Sequence, residues 1–440
     1  MRRLVPYGLF ALAAACLALM AVVAGFSAIP FEPWLWRVLL IAVAGGALVA
    51  AAALYRPVPS PGRAWIAAAL VVGASVRIAM MFSDHMVCDD AARYHWDGKV
   101  MAHGINPYAY PPNAPELDGL RTKALDRAVN VPACRTPYPP LAEALFLAAY
   151  ALTPDSLIGY KILSLLLELA AWLVLLLELK RLGLPSARIL LVAFSPLLVI
   201  EGYLPGHSDV LGLLFFSLFI AFVLRDRPIA SGLALAAACL VKPVALFLVP
   251  AAARSLGARR TAVMLVAFLA VVIAAYAPVV ASGHSHLEPM LLMAHTWSFN
   301  GTAAALIDMA LPVPAARIVS TALLVVLVSA ASVVGRDFLS RALMSMAAVF
   351  VMSPVLFPWY VAWAVPLLVL RPDPAMVALL VLAPITDIAA VNVYIRHRSE
   401  APLWSTLTAF VPFYLLLAAG WIRGWGMFRK DSMSPSVYSM

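Results

Sequence analysis

Four aspartates, Asp84, Asp89, Asp90 and Asp97, fall within fourteen residues of a chain that is only 12% charged. Arg93, Tyr94, His95 and Trp96 sit among them. The stretch DDAARYHWDGKVMAHG has helical spacing. Asp90, Tyr94 and Asp97 share one face, and Asp89, Arg93 and Trp96 share the next. An amphipathic helix lying on a membrane surface would present such carboxylates to a cavity. There a carboxylate could take a proton from an attacking hydroxyl or hold a divalent cation. The plain alternative is a solvated loop with local Asp–Arg pairs.

Other polar groups interrupt long apolar runs. In EGYLPGHSDV, Glu201, His207 and Asp209 bracket a Pro-Gly turn. His and Asp two residues apart suit phosphate or metal binding, or acid–base work; a polar cap between two helices is the alternative. Lys242, followed by Pro243, lies deep among apolar residues. It needs an anionic partner or a watered cavity, and a lipid-linked phosphate would serve; snorkelling to the interface is the alternative. Tyr138 opens YPPLAE, a stiff entry to a helix. Trp359 and Tyr360 close FPWY, aromatics of the kind expected at an interface. Asp387 is a further lining candidate. His284, His286 and His295 give only HxH, a weak pattern, and no metal is assigned to them. No CxxC is present. Cys16 and Cys239 lie in apolar segments; Cys88 and Cys134 share one loop and could form a disulfide.

The elements that must position these groups are membrane helices. The chain has 440 residues, is 64% hydrophobic, and has a mean hydropathy of +0.94. Its apolar runs are continuous rather than alternating, which excludes a barrel. The net charge of +9 reads as Lys and Arg in cytoplasmic loops, with no basic run to bind nucleic acid. The basic start and long apolar run at the N-terminus predict an uncleaved first helix rather than a signal peptide.

About fourteen membrane segments follow from apolar length and alternating basic loops. They span about 6–29, 35–55, 64–82, 157–179, 189–203, 210–224, 229–241, 243–253, 261–280, 316–334, 342–355, 359–370, 375–391 and 403–421. The pieces on either side of Lys242-Pro243 are each too short to cross. They predict two half-helices lining a cavity. Residues 1–63 supply two N-terminal transmembrane helices. Residues 64–425 form the catalytic domain, with a large outer loop at 83–155, and 426–440 a disordered cytoplasmic tail. The unusual polar residues gather at the outer face.

Taken in order, DDAARYHWDG…GINPYAY, RTPYPPLAE, EGYLPGHSDVLGL, LVKPVALFLVP, FNG and SPVLFPWY resemble the polytopic GT-C glycosyltransferases. The resemblance is greatest to the bacterial polyprenyl-phosphate-mannose-dependent mannosyltransferases, of the glycosyltransferase family 87 type. It covers about Ser83 to Leu370, leaving the first two spans as an addition. It implies an all-α, GT-C-like integral membrane bundle in the bacterial cytoplasmic membrane, with its site facing the periplasm or cell exterior. It also implies inverting transfer of a sugar, mannose, from a polyprenyl phosphate to a lipid or glycan acceptor. The base falls on Asp90 or Asp89, with Asp84 a rival. Lys242, with Arg93 or His207, would hold the donor phosphate, and Tyr94, Tyr138, Asp209, Trp359 and Tyr360 would line the site. The resemblance implies no certain cofactor, and a divalent cation held by the carboxylates stays open. Many bacterial relatives read HPWY where this chain reads Phe357-Pro-Trp-Tyr, which throws the acid–base work onto the Asp loop and His207. A transporter or flippase of a lipid-linked saccharide is the rival class. Such a protein would place its polar residues near the midplane.

Overall fold

The computed structural model describes residues 5–26, 29–54, 62–83, 88–284, 287–389 and 402–429. Asp84, His286, the loop 392–400 and the tail from residue 430 lie outside them. The chain is an all-α membrane protein, and its described residues form helices with only isolated bridges between Phe299–Asn300 and Val355.

The helices α1 (Val5–Ala24), α2 (Phe31–Leu54) and α3 (Arg63–Met81) come first. The large loop then holds α4 (Asp90–Ala102), the short α5 (Ala124–Arg127) and α6 (Pro140–Leu152). Next come α7 (Ile158–Arg181), α8 (Leu190–Ala193), α9 (Pro196–Tyr203), α10 (Asp209–Leu224) and α11 (Pro228–Val241). They are followed by α12 (Val249–Leu256), α13 (Ala258–Ala281), α14 (Leu287–Thr296), α15 (Ala303–Ala310) and α16 (Val313–Val334). The last are α17 (Phe338–Met352), α18 (Val365–Leu370), α19 (Pro374–Leu382) and α20 (Leu403–Arg423).

Each apolar segment expected from the sequence is an element here, but not each is a full-length span. Among the described residues, seven helices, α1, α2, α3, α7, α13, α16 and α20, are long and apolar enough to cross a membrane, and the α8–α9 pair, bent by 40°, makes an eighth if it is one span. The other segments are shorter because proline divides them. Pro196, Pro228 and Pro374 occupy first helical positions, where a missing N–H costs nothing. Pro243 and Pro358 each open a 3₁₀ turn. A large core of Trp34, Phe194, Phe216, Phe219, Trp363 and their neighbours joins the segments. Leu173, Val266, Ile273, Val325 and Leu415 face outward, as lipid-facing side chains do.

The break between α8 and α9 is held by a buried cation. Pro196 has no N–H, so the Val192 carbonyl loses its i+4 donor and accepts Ser195 N at 3.2 Å instead. Arg77 of α3 donates to the carbonyls of Val192 at 2.9 Å and Ala193 at 2.7 Å. Gly73 lets α3 come this close, since a Cβ there would sit 2.7 Å from the Ala193 carbonyl oxygen. Glu168 neutralises Arg77 through bonds of 2.9 and 2.7 Å, and itself accepts from Tyr203 at 2.6 Å and Trp172 at 3.1 Å. Both charged side chains are fully buried. Removing one partner of such a pair strands the other. Arg77→Met is therefore expected to destabilise the protein by about 3–5 kcal/mol. Thermal unfolding in detergent measures this, and an unchanged midpoint would contradict it.

One expectation about the large loop is corrected. The amphipathic surface helix is α4, but it is not amphipathic in its setting. Every residue from Ala91 to Val100 is buried. Gly98 packs on α6, where a Cβ would lie 2.4 Å from the Phe146 carbonyl oxygen. On another side, Trp96 and Val100 pack against Leu117 and Val129 of the loop. Its charges are consequently paired within the protein. Arg93 bonds Asp97 at 2.9 and 3.0 Å, and Lys99 bonds Asp126 at 2.7 Å.

Candidate functional site

The site forms where several chain breaks meet at one end of the bundle. Pro205-Gly206 turns the chain between α9 and α10. Gly206 takes φ +78°, a left-handed conformation that glycine adopts without strain. The backbone N–H of His207 closes this turn on the Glu201 carbonyl at 2.8 Å. Asp209 then opens α10. At the end of α11, Lys242 is extended (φ −159°, ψ 131°), as a residue before proline prefers. The half-helix break expected at Lys242-Pro243 is therefore present.

Lys242 Nζ reaches both carboxylate oxygens of Asp209 at 2.8 Å. Trp363 Nε1 donates to Asp209 Oδ1 at 2.6 Å. The Asp209 side chain is 1% exposed and that of Lys242 is 22% exposed, so the cation is the accessible member of the pair. Lys242 also lies over the Tyr360 ring, 3.8 Å from its centroid, a cation–π contact. Gly212 makes room for Trp363; a Cβ there would stand 2.3 Å from the indole. Gly212→Ala is expected to displace Trp363 from Asp209 and cost about 1–3 kcal/mol by overpacking. A lowered melting midpoint, with reduced activity at permissive temperature, would report it. A neutral result would show that the indole can move freely.

His207 stands beside this pair. Its Nδ1 is 2.9 Å from Glu201 Oε2 and its Nε2 is 3.8 Å from Asp90 Oδ2. The ring stacks on Trp359 with centroids 3.6 Å apart, Trp359 stacks on Phe357 at 4.4 Å, and Phe357 on Phe299 at 4.6 Å. Burial, and then the Lys242 charge, hold the His207 imidazole well below its usual pKa, so it stays neutral. Glu201 and Asp387 are both buried.

Asp90 is the first residue of α4, where the helix field favours a carboxylate. Asn130 Nδ2 donates to Asp90 Oδ1 at 2.6 Å and to Asp89 Oδ1 at 3.3 Å. Burial, with Asp89 beside it, raises the Asp90 pKa to about 6. A carboxylate in that range is an effective general base near neutral pH. Cys88 lies close by. Burial, then Asp90 and Asp89, push its thiol well up. Cys88 and Cys134 are both free thiols, so the disulfide is not formed.

The structure thus brings together Asp89, Asp90, His207, Asp209, Lys242, Trp359 and Tyr360 from four separate stretches of sequence. Tyr94 and Tyr138 lie below them in an aromatic floor with Phe146 and Tyr160; the Tyr94 hydroxyl accepts from Ser208 N at 3.5 Å. Arg93 is not part of the cluster. Its Nε is held by Asp97 and its Nη1 donates to the Cys134 carbonyl at 3.0 Å. Sequence reasoning missed Asn130 and Trp363. Asn130 carries no local signal. Trp363 lies in the 3₁₀ turn Pro358–Ala364, where a four-residue spacing from Trp359 marks no common face. The cluster Cys88, Asp90 and His207 has donor atoms all within 4.8 Å of one another, near enough for one small cation.

Residues 7–259 match the family described as alpha-(1->6)-mannopyranosyltransferase, N-terminal domain. The match takes in α1 and α2 and runs through Asp90, Glu201, His207, Asp209 and Lys242. No curated protein and no solved structure matches the chain. With more than half of its length matched, and its apolar helices built for a bilayer, the chain belongs to the alpha-(1->6)-mannopyranosyltransferase family of membrane mannosyltransferases.

Proposed function

We propose that the protein transfers mannose from a polyprenyl phosphate to a hydroxyl of a lipid or glycan acceptor, with inversion, at the outer face of the bacterial cytoplasmic membrane. The observation that carries this reading is the meeting of an accessible cation, Lys242, with an open-edged carboxylate, Asp90, at one end of an apolar bundle. An acceptor hydroxyl needs a base, and a departing phosphate needs a cation; the cluster holds one of each. Arg181, Arg188, Arg225, Arg227, Arg254, Arg259 and Arg260 fall at the opposite ends of the helices that carry the site. Under the positive-inside rule this distribution supports an outward-facing site.

In this mechanism Lys242 contacts the donor phosphate and stabilises the negative charge that grows on it as the glycosidic C–O bond breaks. Asp90 takes the acceptor hydroxyl proton as the new C–O bond forms on the opposite face of the sugar. An inverting step that leaves an α-(1→6) bond starts from a β-linked mannosyl phosphate. Trp359 and Phe357 offer flat apolar faces beside His207 for the sugar or the first isoprene unit. Asp209 and Trp363 fix the Lys242 ammonium in place before the donor arrives. A carrier reading draws no support from the buried Arg77–Glu168 pair, which is fully engaged with the protein itself.

The test uses purified protein in liposomes with synthetic polyprenyl phosphate mannose and a mannoside acceptor. The expected product is a new mannoside bond with α configuration. Transfer from GDP-mannose instead, or movement of the lipid without bond formation, would overturn the proposal.

A further inference from the structure

One trio of side chains has a chemistry the transfer reaction does not use. The thiol of Cys88, the carboxylate of Asp90 and an imidazole nitrogen of His207 all lie within 4.8 Å of one another. The His207 Nε2, 3.8 Å from Asp90 Oδ2, is buried and has no hydrogen-bond partner. Its other nitrogen, Nδ1, likewise has no hydrogen-bond partner, although it lies 2.9 Å from Glu201 Oε2. The Trp359 stack at 3.6 Å holds the plane of the ring.

We propose that Cys88 Sγ, Asp90 and His207 Nε2 form a binding site for a thiophilic divalent cation of the zinc class, and that occupancy inhibits mannosyl transfer. The donor set decides the metal. One sulfur, one nitrogen and one oxygen suit zinc, whereas magnesium, calcium and manganese take oxygen ligands. Zinc bonds of about 2.0–2.3 Å span the 3.8 Å between Asp90 and His207 without rearrangement. The thiol side needs a small inward movement. Three protein ligands leave a fourth position for water. Binding replaces the S–H proton, which goes to solvent, and involves no electron transfer. Inhibition follows because the cation takes the carboxylate that serves as base. That consequence rests on the function proposed above; the binding itself does not.

The experiment is a cobalt(II) titration of the full-length protein in detergent, as a coloured substitute for zinc. A sulfur-to-cobalt charge-transfer band is expected for the unmodified protein and for Cys134→Ser, and zinc should displace it. Cys88→Ser should lose the band. In the transfer assay, zinc inhibition is measured relative to each variant's own uninhibited rate. Cys88→Ser should need about tenfold or more zinc for the same inhibition, while magnesium inhibits neither. Absence of the band in the unmodified protein, or its persistence in Cys88→Ser, would overturn the site. Equal zinc sensitivity of the two proteins would overturn the inhibition. Because the band needs no turnover, it reads the site even if no mannosyl transfer is found.

Discussion

Asp90→Asn is expected to lower the turnover of mannosyl transfer by about 10²–10⁴-fold, the usual contribution of a general base, while leaving the protein folded. The substitution keeps the size and planarity of the side chain. The contact from Asn130 at 2.6 Å can be retained through the amide oxygen, so the start of α4 is preserved. Only the ability to accept a proton is lost. Asp89→Asn is the necessary companion. Asp89 receives the same Asn130 group at 3.3 Å but stands one residue earlier, before the helix begins. His207 Nε2 pairs by distance with Asp90. A much smaller loss is therefore expected at Asp89. Turnover in liposomes and the melting midpoint together decide the matter. A stable Asp90→Asn protein with near-normal turnover would remove Asp90 from the mechanism, and a large loss at Asp89 instead would move the base there.

Lys242→Met should have two separable effects. The first is structural. Asp209 is 1% exposed and both its oxygens are bonded to Lys242. Taking away the cation leaves a buried carboxylate with the Trp363 N–H as its remaining donor. Breaking a buried pair in this way costs about 3–5 kcal/mol, and the partial exposure of Lys242 places this one toward the lower end. The second effect is chemical. The donor phosphate loses its cation, so both donor affinity and turnover should fall. The double variant Lys242→Met with Asp209→Asn separates the two. It removes the stranded charge and should recover most of the lost stability, yet transfer should stay low. Recovery of transfer along with stability would mean that Lys242 serves the fold alone.

Much of this arrangement was legible in the sequence because membrane topology is. Apolar runs and alternating basic loops located every segment to within a few residues. The same alternation put Glu201–Asp209, Lys242 and FPWY on one side before any contact was known. The Lys242-Pro243 break was readable because neither half can cross a bilayer. Span count was less legible, since Pro196 and its counterparts divide segments that composition alone treats as whole. Two features were hidden for a different reason. Arg93 could reach a phosphate or its own i+4 neighbour, and only the cover supplied by residues 105–135 decides for Asp97. Asn130 and Trp363 act across 40 and 154 residues of chain, on Asp90 and Asp209. No periodicity reports contacts of that range.

The hairpin of α10 and α11 has one more consequence. Asp209 is the first residue of α10, and Lys242 directly follows the last residue of α11. Each charged residue therefore stands at the end of the helix dipole that favours its sign. About half a unit of charge of each sign is thus built into the backbone at this point. It cannot be mutated away and does not reorient when a donor arrives. The neutral double variant should consequently retain a weak, salt-sensitive attraction for a phosphate headgroup at the α10 terminus, visible as residual donor binding without turnover.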